Sequence, residues 1–399
     1  MTGSVPDLGR VVAAQRKKMG LSQVEFAARL GRSETWVSQV ERGVRHIDRM
    51  SVLQRLADAL DLPVAALARS EAVTGPPKPE AAVNAALALS ASVTLAAMVD
   101  DRAETVSVRD LAAAADEAWS LVHASQHAGV AALLNTWLPV AVSVSTRGGS
   151  KDRRQAAEAA CRLLLASAAM LSKVDDPAAA WVAADRATRF AESTGDPLLV
   201  AATVFRLGLV FQAARRFDLA ARAIGSAYVA LTSPKAPAGL PSDSVRGALA
   251  LQLAVVAARQ GDAATAYSWL EVARPLAERV GSDRNDYNTE FGLPNLLVYE
   301  VSVAVELGDA GRALAVAASL DASTLSAERR ARLLVDVARA YAQVRRIPEA
   351  VANLREALTI APEQVRSHRS VRELVSGLMG GEFARDEGVR ALAADLTER

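Results

Sequence analysis

The sequence predicts an all-α protein, a five-helix head followed by a long α-solenoid of helix pairs. Three observations carry this. Alanine is everywhere while aromatic residues make up only 4% of the 399-residue chain, which suits close-packed helices and not strands, where β-branched and aromatic side chains dominate. Helix caps and glycine stops punctuate the first part of the chain. Further on, a turn followed by an alanine-rich helix keeps returning, with Asp218, Asp262, Asp309 and Glu349 at spacings of 44, 47 and 40 residues.

In the head, the first helix over 8–19 ends at Gly20, where a left-handed residue caps a helix. Ser22 and Glu25 form a capping box opening a second helix to Leu30. After the Gly31-Arg32 turn, Ser33 caps a third helix reaching Arg42, stopped by Gly43. The fourth and fifth lie at 50–60 and 63–67, with Pro63 in a first-turn position. Phe26, Ala27, Leu30, Val37, Val40, Leu53, Leu56, Leu60 and Leu67 fall at helical spacing and predict one small core, Ala27 being small where helices two and three cross.

Charge divides the chain. Residues 1–70 carry eleven Lys and Arg against seven Asp and Glu, a net of +4, while the remainder is −3 and the whole +1. The proline-rich join, Thr74-Gly75-Pro76-Pro77-Lys78-Pro79-Glu80, reads as a short spacer within 71–80. The expected domains are therefore 1–70, the linker 71–80, and a helical body over 81–399. Residues 81–99 are uncharged, but their Ala, Ser and Thr content predicts a buried helix and no membrane span. The start of the chain has neither a basic nor an apolar leader region, and the single Cys161 fits a reducing compartment, so a cytoplasmic location is expected.

Body pairs are expected at 108–144, turning near Gln126–Gly129, and at 151–193, turning at Asp175-Asp176-Pro177. The last unit, 330–362, with Ala338, Ala340, Tyr341, Ala350, Leu354, Ala357 and Pro362, resembles a tetratricopeptide repeat; the others are longer and degenerate.

The run from Leu21-Ser22-Gln23-Val24-Glu25-Phe26-Ala27 through Gly31, Ser33 and Glu41-Arg42-Gly43 resembles the XRE-type (Cro/repressor-like) helix-turn-helix regulators over about residues 8–67. The resemblance implies that the third helix enters the major groove of double-stranded DNA. It places Glu34, Thr35 and Gln39, with Ser38 beside them, at base-reading positions. It sets Gln23 against a phosphate or an outer base, and pairs Arg16 with Glu41 as a buried ion pair behind the recognition helix. Glu34 stands where the family commonly has glutamine, so a carboxylate would accept from a cytosine amino group or repel phosphate. Trp36 is unusually bulky; it packs either on DNA or against the fourth helix or body. Arg32, Arg42, Arg45 and Arg49, with Lys17 and Lys18, form the backbone-contacting set. One head reads few base pairs, so a homodimer on half-sites about one helical turn (~34 Å) apart is expected, with its contacts in the body and the 81–99 helix.

The whole chain resembles actinobacterial regulators of this type with a C-terminal tetratricopeptide-like domain, and more distantly the pheromone-responsive regulators of Gram-positive bacteria. That implies a groove for a peptide or small-molecule effector; the alternative is a DNA-bound platform docking a partner protein constitutively. Three of the six asparagines fall within 285–295. Asn285, Tyr287, Asn288, Phe291, Asn295 and, just beyond, Tyr299 read as ligand contacts, or else as a polar loop with its own Asx turns. No phosphate loop, His-Glu-x-x-His or nucleophile elbow is present, so no enzyme and no cofactor are expected. His123 and His127 lack a third ligand at a recognisable spacing, so no metal is expected, and Cys161 reads as a core thiol.

Overall fold

The computed structural model describes residues 8–42, 50–60, 62, 83–84, 86–88, 105–146, 149–174, 176–281 and 284–397. Two compact units divide at Lys78/Pro79. Among the described residues there is no strand, only an isolated antiparallel bridge between Arg284 and Phe291.

The head contains α1 (Leu8–Lys18), α2 (Gln23–Leu30), α3 (Glu34–Glu41) and α4 (Met50–Ala59). Its punctuation is local, as expected. Gly20 is left-handed at φ +72°. Ser22 accepts from the Glu25 N–H while the Glu25 carboxylate accepts from the Ser22 backbone, completing the capping box. Gly31 is left-handed at φ +62°, and Ser33 accepts from the Trp36 N–H. The core joins Leu8, Val12, Phe26, Ala27, Val37, Val40, Leu56, Ala57 and Leu60. A Cβ on Gly9 would meet the Glu41 and Val40 carbonyls at 2.6 Å, so α1 crosses the end of α3 where only glycine fits. The fifth helix expected at 63–67, the linker, and most of segment 81–99 lie outside the described residues, as do Gly43, Arg45, Arg49 and Leu67.

The body stacks six antiparallel pairs: α5 (Val108–His123) with α6 (His127–Val144), α7 (Ser150–Lys173) with α8 (Pro177–Thr194), α9 (Pro197–Ala213) with α10 (Phe217–Thr232), α11 (Leu240–Arg259) with α12 (Ala263–Val280), α13 (Leu293–Glu306) with α14 (Ala310–Ser319), and α15 (Ala327–Gln343) with α16 (Ile347–Ile360). Then come α17 (Pro362–Ser367), α18 (Arg369–Gly380) and α19 (Glu387–Thr397). From α7 to α15 each leading helix packs on its own partner and on the next leading helix, which is how a solenoid buries a continuous core.

Helix α6 has the length and apolarity of a membrane span, yet 67% of that stretch is buried inside the body. Cys161 is buried on α7. Each described turn within a pair uses a left-handed residue: Ser125, Arg215 and Arg345, and the glycines at 261 and 308. The stack curls until its first turn meets its last helices. Ser125 Oγ donates to Gln364 Oε1 at 2.6 Å, and the His127 N–H donates to Glu363 Oε2 at 2.9 Å.

Candidate functional site

Helical periodicity sorts α3 into two faces. Val37 and Val40 are buried in the head core. On the opposite side Glu34, Thr35 and Arg42 are exposed, with Ser38 and Gln39 partly so. All four expected base-reading side chains therefore share the outward face. Trp36 is half-buried and packs against the head core, with the Arg32 guanidinium 5.6 Å from its ring centroid. The ring is thus braced within the head and holds Arg32 over its face. Arg42 folds back on its own helix, its Nε donating to the Ser38 carbonyl at 3.2 Å.

Behind α3 lies the ion pair that the resemblance implied. Arg16 Nε is 2.5 Å from Glu41 Oε1 and Nη2 is 3.0 Å from Oε2; both side chains are under a tenth exposed. The third guanidinium nitrogen, Nη1, donates to the Leu21 carbonyl at 2.6 Å. Gln23, expected on phosphate or an outer base, donates one amide N–H to Glu41 Oε2 at 2.7 Å, because the start of α2 lies against the end of α3. Burial pushes the Glu41 carboxyl up, but the hydrogen bonds from Arg16 and Gln23 outweigh it and hold the carboxyl below its ordinary value. The network is complete, and it fixes the angle at which α3 is presented.

The asparagine-rich segment proves to be an internal strap. Phe291 is fully buried against Gly247 of α11, Tyr299 is buried, and Asn295 is buried with its amide donating to the Glu290 carbonyl. These three are interior residues and present no surface to a ligand. Asn285 hydrogen-bonds His123 at 3.1 Å and accepts from the Glu290 N–H, an Asx-type closure, and Tyr287 donates to Asp196 at 2.8 Å. Tyr287, Asn288 and Glu290 are all left-handed, a conformation held by these ties to α5 and α9. Asn288 remains half-buried on the same loop.

That strap also brings His123, Glu290 and Glu328 together, their ligand-capable atoms within 4.8 Å of one another. Spacing could not reveal the grouping, since the three come from α5, the strap and α15. Both carboxylates already hold cations: Arg329 lies 2.6 Å from Glu290 and Lys173 3.2 Å from Glu328.

A second region went unseen in the sequence. Inside the body curl, the leading helices α7, α9, α11, α13 and α15, with α17 and α18, wall a cavity of about 500 Å³. Its back wall is a polar relay: Arg259 donates to Gln212 at 3.1 Å, Gln212 donates to Gln252, and Gln252 donates to the Tyr299 hydroxyl at 3.1 Å. Glu306 accepts from Arg339 at 3.2 Å and Arg259 at 3.4 Å, and Asp336 accepts from Arg339 at 3.1 Å. His368 lies among Arg332, Arg339, Arg259 and Asp336, and burial pulls its imidazole down to about 4.

Residues 7–70 match the family model described as a helix-turn-helix domain, so the head is a helix-turn-helix domain carried on a helix-pair solenoid. No curated protein matches the sequence. Among solved structures, similarity extends to a Rap protein complexed with Competence and Sporulation Factor, at 13% identity and TM-score 0.48, covering 90% of this chain and 100% of that one. It extends also to Bacillus thuringiensis PlcR in complex with the peptide PapR7 and DNA, at 10% identity and TM-score 0.27, covering 68% and 94%. A PrgX variant follows at 8% identity and TM-score 0.25, covering 93% and 99%.

Proposed function

We propose that the protein is a sequence-specific DNA-binding transcriptional regulator whose helical body binds a peptide or small-molecule effector that alters operator binding. The observation that carries the reading is the single outward face of α3. Glu34, Thr35, Ser38 and Gln39 stand opposite the buried Val37 and Val40, on a helix braced by the Arg16–Glu41 pair. An exposed face of polar side chains on a helix of a basic head suits base-edge hydrogen bonding in the major groove. In this reading Arg32, Arg42, Arg45 and Arg49 neutralise phosphates, and two heads act on paired half-sites as a homodimer. Gln23 meets a phosphate or an outer base while one amide N–H stays on Glu41 behind α3.

Gel-shift titration of the full chain on its own upstream region, against scrambled duplex, tests the assignment. Gln39→Ala should cost about 1–3 kcal/mol on the specific site and little on the scrambled one. Arg42→Ala should weaken both together and flatten the salt dependence by about one unit of slope. Equal losses from both substitutions on both duplexes would overturn the sorting of readers from backbone contacts.

A further inference from the structure

The cavity inside the body curl has more cations than anions to hold them. Of the interior carboxylates, Glu328 lies against Lys173, Glu306 is shared between Arg259 and Arg339, and Asp336 meets Arg339. The rim carboxylate, Glu373, holds Arg369 and Arg215. Two guanidiniums that line the same cavity are left over. Arg206 stacks 5.2 Å from the Trp119 ring centroid and 5.7 Å from that of Phe205, and Arg332 stacks 5.3 Å from that of Tyr299. Among the described residues neither has a hydrogen bond or a carboxylate partner. Their aromatic faces fix both planes while leaving the N–H edges uncommitted. Burial pulls the Arg206 guanidinium down to about 10, an effect the more distant Glu328 only partly offsets.

A guanidinium drawn partly out of water without an anion is costly, and a stacked guanidinium is a preformed fork. One carboxylate has two oxygens and satisfies one fork. A phosphate has enough oxygens to accept from two forks and enough charge to balance both. The cavity is also of the size that takes a small ligand.

We propose that this cavity binds a small phosphate-bearing molecule, with Arg206 and Arg332 as its anion-gripping residues. The proposal deepens the effector reading above and rests on it for its regulatory meaning, since an oxyanion here would tie α9 to α15 across the curl.

Isothermal titration calorimetry of the full chain with pyrophosphate, and separately with citrate, tests it. Pyrophosphate should bind saturably with a dissociation constant well below about 1 mM, and citrate more weakly. Arg332→Gln and Arg206→Gln should each weaken pyrophosphate roughly tenfold or more. Arg332→Lys should recover part of the loss, because an ammonium keeps the charge without the fork. Arg332 reaches the cavity from a partly exposed position, so its two variants decide the matter even where Arg206→Gln unfolds. Absence of saturable pyrophosphate binding, citrate binding as tightly, or undiminished affinity in Arg332→Gln would each overturn the site. The effector reading fails separately: it requires that pyrophosphate change operator affinity in a gel shift, which calorimetry does not measure.

Discussion

Two groups of charges, one buried and one half-buried, are built on opposite terms in this chain. In the head, Arg16 and Glu41 face each other with two direct contacts, and Leu21 and Gln23 each add one further hydrogen bond to the pair. In the body cavity, Arg206 and Arg332 sit on aromatic faces with no carboxylate partner among the described residues. A completed network holds a backbone in one arrangement and has nothing left to offer. An incomplete one is a stability liability that a ligand can relieve, which is what functional sites commonly look like.

The sharpest way to break that comparison is to remove one partner from the complete network. Glu41→Ala leaves Arg16 buried without its anion and Gln23 without its acceptor, and should cost the head about 3–5 kcal/mol. For a domain of this size that is much of its stability. Thermal melting of the variant should show the head transition lowered while the body transition stays in place, and specific DNA binding should fall with the folded fraction. A head transition that did not move would mean the pair contributes nothing to the position of α3.

Protonation attacks the same pair more gradually. Because Glu41 titrates below its ordinary range in the fold, its contribution is fully present above the unfolded value near 4.3. It is lost as pH falls through the lower folded value. Followed on the Trp36 indole resonance, head stability should therefore drop steeply in acid below about pH 4. In Glu41→Gln that drop should be shallower. Equal slopes in the two proteins would remove Glu41 from the acid response.

The contrast also separates what the sequence exposes from what it hides. The head was legible because its signals are local: Ser22 with Glu25, the glycine stops, and the alternation of Val37 and Val40 with outward polar residues all act within a turn or two of helix. The body's turns were legible for the same reason, since residues such as Gly261-Asp262 and Gly308-Asp309 punctuate the chain where they stand. The strap stayed between two readings, ligand contact and a polar loop with its own Asx turns, because composition does not say what polar groups face. Asn285 and Tyr287 look alike whether they hold a ligand or reach His123 and Asp196, which are remote in sequence. The cavity was missed because helices spread from α7 to α18 supply its walls. One signal for it was available: α9 carries a single charged residue, Arg206, in an otherwise uncharged helix, and a lone arginine inside such a helix needs a partner or a purpose.

If the cavity is deliberately incomplete, removing one of its spare cations should not injure the fold. Arg332→Gln takes away a charge that is opposed by Arg259 and has no carboxylate of its own. The body transition should stay where it is or rise by up to about 1 kcal/mol. This is the reverse of Glu41→Ala, and a comparable loss from both would erase the distinction between the two charge groups.

A smaller effect tests the body's architecture apart from its charges. The turn between α9 and α10 and the turn between α11 and α12 do the same job with different residues in the left-handed position: Arg215 at φ +56° and Gly261 at φ +79°. A side chain in that region costs roughly 1–2 kcal/mol where nothing local supports it. Arg215 meets Glu373 at 3.3 Å with both side chains more than half exposed, and such a surface pair contributes little. Nothing lies within 4 Å of a Cβ placed on Gly261, so substitution there meets only the backbone penalty. Gly261→Ala should therefore lower body stability by about 1 kcal/mol. Arg215→Gly should raise it by somewhat less, because glycine also loosens the unfolded chain. Urea melts of the two variants should move in opposite directions at unchanged m-value. Movement in the same direction would mean that the two turns are not interchangeable parts of one repeating unit.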